Sequence, residues 1–343
     1  MYDAKNLCPD IEFNQLGSLG LITLKREKAL NAINYSMVLA LRNILEQWRD
    51  NDSIKYVLIE GEGRAFSAGG DIVSVYHNQK KGEDPFPLFD KKYDLNVYIK
   101  NYPKPYLTFL DGIVMGGGAG ISMHGAYRIG TKNTLFAMPE VAIGFFPDVG
   151  AHSFLAHLPK SVIRYICLSA ARLNWGESLK CKLLTHAIRL EDYNFLKAAL
   201  TQGTHPDHVL PELNIISNTE PSKKIITHID QVFGHNSLEE CLEALEKAIR
   251  DDNGWAVSVF DRMKKASPTS LKLTFYYMDN YKEEDKDLQK IADIEKTITK
   301  NMLMRHDFIE GIRALLIDKD NKPNWKIKDV NDIKQSYIES FFS

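Results

Sequence analysis

Two short apolar runs, each followed directly by a glycine-rich segment, constrain the fold of this chain most strongly. Tyr56–Glu60 precedes residues 61–72, which read GEGRAFSAGGDI, and Tyr106–Leu110 precedes residues 111–120, which read DGIVMGGGAG. Runs of this length predict buried strands. Glycines after strands let a ligand approach the main chain closely, although tight turns and close helix packing use glycine in the same way.

Neither glycine segment has the pattern of a nucleotide-binding loop. No Gly-Lys-Ser/Thr follows at the spacing of a P-loop, and Phe66 occupies the third glycine position of the G-x-G-x-x-G pattern. Taken alone, each segment therefore indicates no particular ligand.

The N-terminal part of the chain alternates short apolar runs with amphipathic segments. Leu19–Leu24 predicts a further strand, and residues 36–50 predict a helix with one apolar face. Such alternation is typical of an α/β arrangement. Glycine and prolines among polar residues predict a linker at 201–222. We therefore predict a core in residues 1–200 and a helical region in residues 223–343.

Two helix starts support the prediction for the C-terminal region. Ser237 and Glu240 have the S-x-x-E spacing of a capping box, and apolar residues follow on one helical face. Ser267-Pro268 is a second start, because proline suits the first helical position.

Two carboxylates stand in apolar surroundings within residues 136–150, which read FAMPEVAIGFFPDVG. Glu140 and Asp148 each follow a proline directly. Apolar surroundings disfavour the charged form of a carboxylate and so suit it to acid–base chemistry. The structural alternative is that Glu140 caps a turn and that Asp148 starts a helix at Val149.

Composition excludes several classes of partner. The formal net charge of −2 gives no general attraction to nucleic acid or to an anionic membrane. The four cysteines form no C-x-x-C pair, and the ten histidines show no metal-site spacing, so we expect a reducing compartment and no metal. The sequence starts without a signal or transit pattern and has no apolar stretch of membrane-spanning length. These features predict a cytoplasmic protein, or a mitochondrial matrix protein if the chain is a mature eukaryotic form.

The order and spacing of these segments resemble the crotonase superfamily, whose members act on acyl-CoA thioesters. The resemblance covers nearly the whole chain and is closest to the 3-hydroxyisobutyryl-CoA hydrolases. It is carried by residues 67–72 (SAGGDI), 115–118 (MGGG), 138–140 (MPE), 146–150 (FPDVG), 267–272 (SPTSLK), 306–313 (HDFIEGIR), 317–320 (IDKD) and 323–325 (PNW).

The resemblance implies a fold and an oxyanion hole. The fold would be α/β, a crotonase-like spiral of ββα units followed by a helical C-terminal region. The oxyanion hole of the superfamily is made by two backbone N–H groups, which correspond to Gly70 and Gly117. Donors aimed at the thioester oxygen stabilise the negative charge that develops there during attack. Gly117 would also begin a helix running through Ile121, whose dipole adds to this effect.

The resemblance also assigns the two carboxylates. Hydratases of the superfamily use two glutamates, but this chain has Gly120 at the position of one and keeps only Glu140 at the other. The hydrolases carry an aspartate at the position of Asp148. Glu140 would attack the thioester carbonyl or activate the water that does, and Asp148 would bind the substrate hydroxyl or relay a proton. The sequence leaves open whether Glu140 is the nucleophile or the general base.

Coenzyme A would be part of the substrate, so no separate cofactor is expected. The resemblance implies a CoA site formed by Lys25, Ala29, Ala32, Ala68, Gly69, Asp71 and Ile72. Lys25 could equally be an exposed lysine at a strand end. Lys92 departs from the family, which has a substrate-binding glutamate there, and this change places the acyl group in question. His152 resembles a catalytic base, but a histidine at a helix start is more often structural.

We therefore expect hydrolysis of a short branched acyl-CoA thioester, 3-hydroxyisobutyryl-CoA above others, by a protein that could form a homo-oligomer. The alternative within catalysis is an enoyl-CoA isomerase or hydratase that uses Glu140 alone. A non-catalytic scaffold, or a subunit of a larger assembly, is the alternative from another class.

Overall fold

A computed structural model describes residues 8–215, 223–251, 254–280 and 287–343. The chain divides into two units that interleave along the sequence. The first comprises Met1–Asp71, Asp90–Phe136 and Leu173–Glu220, and the second comprises Ile72–Phe89, Ala137–Arg172 and Pro221–Ser343.

The described strands form two sheets. They are β1 Ile11–Leu16, β2 Leu19–Leu24, β3 Tyr56–Gly61, β4 Ala65–Ser67, β5 Tyr106–Leu110, β6 Ile113–Met115, β7 Tyr127–Gly130, β8 Leu135–Ala137, β9 Leu173–Asn174 and β10 His186–Ala187. One sheet has the order β1-β2-β3-β5-β7-β10, and the other has the order β4-β6-β8-β9. The three strands predicted from apolar runs are confirmed as β2, β3 and β5.

The described helices lie between the strands and in the C-terminal part of the chain. They are α1 Tyr35–Arg49, α2 Ile72–Lys80, α3 Phe86–Lys100, α4 Gly117–Gly120, α5 Ala151–Leu155, α6 Lys160–Ser169, α7 Trp175–Lys180, α8 Tyr193–Thr201, α9 Pro206–Leu213, α10 Lys223–Phe233, α11 Leu238–Arg250, α12 Gly254–Lys265, α13 Pro268–Asn280, α14 Leu288–Leu303, α15 His306–Ile312 and α16 Gln335–Glu339. Among these helices, none is long and apolar enough to cross a bilayer.

Successive strand pairs give the fold its repeat. β3, β5 and β7 lie in the six-stranded sheet, while β4, β6 and β8, each the next strand along the chain, lie in the four-stranded sheet. Helical segments connect one pair to the next. Pairing of β2, β3, β5 and β7 is parallel, as crossover connections between neighbouring strands require. The predicted α/β spiral of ββα units is confirmed.

The core of the first unit lies on one face of the six-stranded sheet. Leu21, Leu58 and Leu107 from neighbouring strands form this core with residues of α8 and α9. Helix α9 falls in the stretch predicted as a linker: Pro206 begins it, and Leu210 is buried in this core. Residues 216–222 of the predicted linker lie outside the described residues.

The regular elements described in the C-terminal part of the second unit are all helices, as predicted, although residues 318–329 are irregular. Ser237 Oγ accepts a hydrogen bond from Glu240 N, but the Glu240 carboxylate accepts from Asn236 N instead of Ser237 N. The reciprocal bond of the capping box is therefore shifted by one residue. Helix α13 begins at Pro268, as the sequence predicts.

Candidate active site

The two glycine segments of the sequence leave the four-stranded sheet side by side. Strands β4 and β6 pair in parallel, with Ala65 opposite Ile113 and Ser67 opposite Val114. Because the carboxyl ends of parallel strands lie at the same edge, Gly70 and Gly117 follow their strands into the same region. The parallel pairing of β4 and β6 thus brings together two glycine segments that are distant in the sequence.

The main-chain amides of Gly70 and Gly117 lie next to each other. A Cβ atom built on Gly117 would stand 2.9 Å from Gly70 N and 3.2 Å from the carbonyl carbon of Gly69. Gly69 and Gly116 have φ angles of +128° and +47°, which favour glycine. Two of the glycines therefore set the path of the chain, and Gly117 leaves the space in front of the Gly70 amide clear.

Amides on either side of Gly70 donate hydrogen bonds within the protein, whereas those of Gly70 and Gly117 donate none to the described residues. Ala68 N donates to Leu30 O, and Asp71 N donates to Ile33 O. Within the described part of the chain, the amides of Gly70 and Gly117 donate to no protein group. Backbone donors are almost always paired in folded proteins. Two adjacent unused donors are therefore a ready site for an oxygen that gains negative charge.

Helix α4 begins at Gly117, as predicted, but it ends at Gly120 instead of running through Ile121 and has only four residues. A Cβ atom on Gly118 would stand 2.6 Å from Ser67 O, so this helix packs tightly on β4. In the orientation that satisfies its side-chain amide, buried Asn96 of α3 donates to Gly120 O and Lys92 O, both at 3.1 Å. Asn96 thus fixes the end of α4, a role that no sequence pattern indicated.

Lys92 is buried, with 4% of its surface exposed, and it lies one helical turn before Asn96 on α3. Its Nζ atom lies 5.0 Å from the centre of the Tyr93 ring. Burying an ammonium group costs free energy unless other groups pair with it. The buried position of Lys92 is therefore a specific feature of the fold. Its assignment to the substrate stays a prediction.

The predicted CoA-binding segments of the first unit are brought together. Ile33 N donates to Gly69 O at 2.8 Å. Together with the bonds from Ala68 N and Asp71 N, it joins residues 68–71 to residues 30–33. Arg26 Nη2 contacts Asp71 Oδ2 at 2.8 Å, and Arg26 Nη1 donates to Ala32 O. Arg26 was missed in the sequence because a single arginine on a loop carries no pattern.

The remaining predicted CoA residues lie at the surface or near it. Ala29, Ala32 and Ala68 are half-buried, and Ile72 begins helix α2 in the second unit. Lys25 Nζ bonds to Glu12 at 2.7 Å and lies 3.6 Å from Glu62. The hydrogen bond to Glu12 and the two negative charges raise the pKa of Lys25. A phosphate would have to compete with these two carboxylates for this lysine.

Glu140 lies in a buried 3-10 helix, Glu140–Ile143, of the second unit. Ser267 N, just before α13, donates to Val141 O at 3.1 Å. Gly144 and Gly311 have no space for a side chain, because α15 packs directly on the backbone of this turn. The start of α13 and the helix α15 therefore hold the turn that carries Glu140.

The charge of Glu140 affects the pKa of a neighbouring thiol. Burial first, and then the Glu140 carboxylate, raise the pKa of Cys167 on α6 well above its usual range. Met138 and Phe146 are also buried on this part of the chain.

Asp148 is buried, with 2% of its surface exposed, in the turn before α5. That helix begins at Ala151, later than the alternative reading of the sequence placed it. Val149 has a φ of +56° and Gly150 a φ of +73°. His152 is buried in α5, and its ring meets the Tyr277 ring edge-on at 6.0 Å.

The C-terminal sequence motifs stabilise the helices behind Glu140. Ser267 Oγ donates to Asp307 Oδ2 at 2.6 Å, and Lys326 N donates to Asp307 Oδ1 at 2.8 Å. Arg313 forms two hydrogen bonds with Glu310, and these bonds hold the pKa of the Glu310 carboxyl below its usual range. These motifs fix α15 in place.

The structure therefore assembles the predicted residues in two groups. The first unit brings Gly70 and Gly117 together beside the segments predicted for CoA. The second unit holds Glu140 and Asp148 in buried turns.

The chain belongs to the enoyl-CoA hydratase/isomerase family, whose sequence model matches residues 19–342. This membership confirms the resemblance found in the sequence, and it agrees with the spiral of strand pairs described above.

Within that family, relatives named as hydrolases are similar over nearly the whole chain. "3-hydroxyisobutyryl-CoA hydrolase 1" of Arabidopsis thaliana is 35% identical over 95% of this chain and 89% of the relative. "3-hydroxyisobutyryl-CoA hydrolase, mitochondrial" of Danio rerio is 34% identical over 97% of this chain and 89% of the relative. A crystal structure of a carnitinyl-CoA dehydratase from Mycobacterium thermoresistibile is 30% identical with a TM-score of 0.89, covering 98% of this chain and 97% of that chain.

Proposed function

We propose that this protein hydrolyses 3-hydroxyisobutyryl-CoA to 3-hydroxyisobutyrate and free CoA. The observation that carries the proposal is the similarity to hydrolases of that name in a plant and an animal, over 95% of this chain or more. The paired unused amides of Gly70 and Gly117 support it, because thioester hydrolysis places negative charge on the carbonyl oxygen.

The proposed reaction gives each of the two groups of residues a role. The amides of Gly70 and Gly117 bind the thioester oxygen while an oxygen nucleophile adds to the carbonyl carbon. The carbon–sulfur bond then breaks, and CoA leaves as the thiol after taking up a proton. If Glu140 is the nucleophile, water cleaves the resulting anhydride; if Glu140 is the general base, it takes a proton from water, which attacks directly.

Asp148 and Lys92 are proposed to contact the acyl group. The Asp148 carboxylate would accept a hydrogen bond from the 3-hydroxyl group. The Lys92 ammonium can only donate hydrogen bonds, whereas the glutamate of related hydrolases can accept them. We propose that coenzyme A is bound by residues 25–32 and 68–72 and that no separate cofactor takes part.

Compartment and assembly remain proposals as well. We propose a cytoplasmic protein, with the mitochondrial matrix as the alternative, since the relative from Danio rerio is named mitochondrial. A homo-oligomer is also proposed, and its mass in solution is directly measurable.

A hydratase is the second candidate, favoured by the similarity to a solved dehydratase. Gly120 is the observation against it, because this chain lacks a second carboxylate at the position where hydratases of the superfamily have one. Adding or removing water across a double bond requires both.

Release of free thiol from purified protein tests the proposal. Supplied with 3-hydroxyisobutyryl-CoA, isobutyryl-CoA and an enoyl-CoA, the protein should release thiol fastest from the first. Burial raises the pKa of Cys181 and Cys241 to about 11. These thiols therefore stay protonated, and their own reaction with the thiol reagent is slow. A change in double-bond absorbance without thiol would establish the hydratase instead, and ester binding without turnover would establish a scaffold.

The Asp148→Asn variant should separate substrate choice from hydrolysis. The amide keeps the shape of the side chain but loses its charge, so hydrolysis of 3-hydroxyisobutyryl-CoA should fall about 10- to 100-fold, the loss expected for one charge-assisted hydrogen bond. Hydrolysis of isobutyryl-CoA should change much less. An equal loss on both esters would remove the hydroxyl-binding role from Asp148.

A further inference from the structure

A buried carboxylate of the second unit holds the turn that follows Asp148. Glu295 lies on α14 with 1% of its surface exposed. Both of its oxygens accept from Gly150 N at 3.0 Å, and Oε1 also accepts from the Tyr277 hydroxyl at 3.0 Å. The hydroxyl comes from α13, so two C-terminal helices converge on one backbone amide of this turn.

The turn itself is strained. Val149 has a φ of +56°, and a β-branched residue rarely adopts this left-handed conformation. Gly150 follows with a φ of +73°. Strained backbone of this kind is unfavourable and persists only where the surroundings impose it. The hydrogen bonds from Gly150 N to Glu295 are contacts that help to hold it here.

A buried charge is also costly unless it is hydrogen-bonded. A neutral amide side chain could accept from the same donors with a smaller desolvation cost. A buried carboxylate that accepts from both Gly150 N and the Tyr277 hydroxyl is explained if the position of this turn matters to function.

We propose that Glu295, oriented by Tyr277, is a positioning residue that sets the direction of the Asp148 side chain and thereby the preference for hydroxylated acyl groups. The inference rests on the proposed function. Glu295 acts through the Gly150 amide, two residues beyond Asp148, and the strained Val149 between them transmits the constraint. Small displacements of a group that orients substrate change rates strongly.

The test compares Glu295→Gln with a matched control in the same unit. Asp279→Asn removes the carboxylate that bonds to buried Arg164 at 2.9 and 2.5 Å, a structural pair outside the turn. For each variant, kcat and KM are measured with 3-hydroxyisobutyryl-CoA and isobutyryl-CoA. We expect Glu295→Gln to lower the ratio of the two kcat/KM values at least about tenfold. Asp279→Asn should leave the ratio unchanged, even if it lowers stability.

Two further measurements keep the inference testable. Hydrogen exchange in residues 148–151 should be faster in Glu295→Gln, because its side chain is a weaker acceptor for Gly150 N. Tyr277→Phe removes only the hydroxyl donor and should lower the same ratio by a smaller factor. This variant takes the place of Glu295→Gln if Glu295→Gln fails to fold.

An unchanged ratio in Glu295→Gln, with activity lost equally on both esters, would overturn the inference and leave the proposed function standing. If the wild-type protein releases no thiol from any ester, the proposed function fails instead. In that case unchanged exchange at residues 148–151 in Glu295→Gln would overturn the positioning role.

Discussion

Glu140→Gln is expected to lower kcat/KM for thioester hydrolysis about 30- to 900-fold, which corresponds to about 2–4 kcal/mol of transition-state stabilisation. Glutamine has nearly the same shape, so the buried turn that carries this residue should keep its structure. It can neither attack a carbonyl carbon nor take a proton from water. Binding of a non-hydrolysable CoA thioether, measured by calorimetry, should remain close to that of the wild-type protein.

Glu239→Gln is the matched control for this substitution. Glu239 pairs with Lys272 at 2.5 Å near the start of α11, so its loss should alter stability slightly and activity hardly at all. Thiol release by Glu140→Gln at the rate of this control would exclude Glu140 from the reaction.

A single turnover in water enriched in oxygen-18 would identify Glu140 as the nucleophile if label appears in its side chain. If the carboxylate is the nucleophile, water cleaves the anhydride at one of its two carbonyl carbons. Attack on the side-chain carbon would place the label in Glu140, where mass spectrometry of the peptide detects it. If the carboxylate is a general base, all label enters the released acid. Label in the peptide is therefore decisive for the nucleophile.

Gly117→Ala is the second substitution with a large expected effect. Its Cβ atom would stand 2.9 Å from Gly70 N, in the space that a thioester oxygen needs. Losing one such donor typically costs about 3–4 kcal/mol, so kcat should fall at least about 100-fold. The measurement is kcat for thiol release, with thermal unfolding to establish that the variant is folded.

Two other glycines serve as comparisons for Gly117→Ala. A Cβ atom on Gly70 or on Gly254 would meet no atom within 4 Å. Gly254→Ala, in the helical region, should leave kcat unchanged, whereas Gly70→Ala should lose less than Gly117→Ala because nothing is displaced. Full activity in Gly117→Ala would mean that the amide pair is not the oxyanion hole.

The sequence predicted the framework of this protein because its signals are local. Apolar runs such as Tyr106–Leu110 indicate strands, and Ser267-Pro268 indicates a helix start, from residues that are neighbours in the chain. The pairing of Gly70 with Gly117 follows from parallel strands that end at one edge, so it too could be predicted once the family was recognised.

Supporting residues could not be predicted because their partners are distant in the chain. Glu295 reads as one of many charged residues on an amphipathic helix, yet it is buried and bonded to Gly150 N. The left-handed conformation of Val149 contradicts its local preference and depends on contacts from residues distant in the chain. Lys92 was recognised as a departure from the family, but its burial could not be read from its neighbours.

The packing of α15 and the start of α13 on the Glu140 turn has a consequence for shortened or altered chains. Removing residues after 266 to obtain a minimal enzyme would delete the supports of that turn, however well the sheets survived. If Glu140 acts as proposed, changes at Ser267 or Gly311 would imitate its loss. The residues after 266 therefore belong to the support of the predicted catalytic turn and cannot be treated as a dispensable extension.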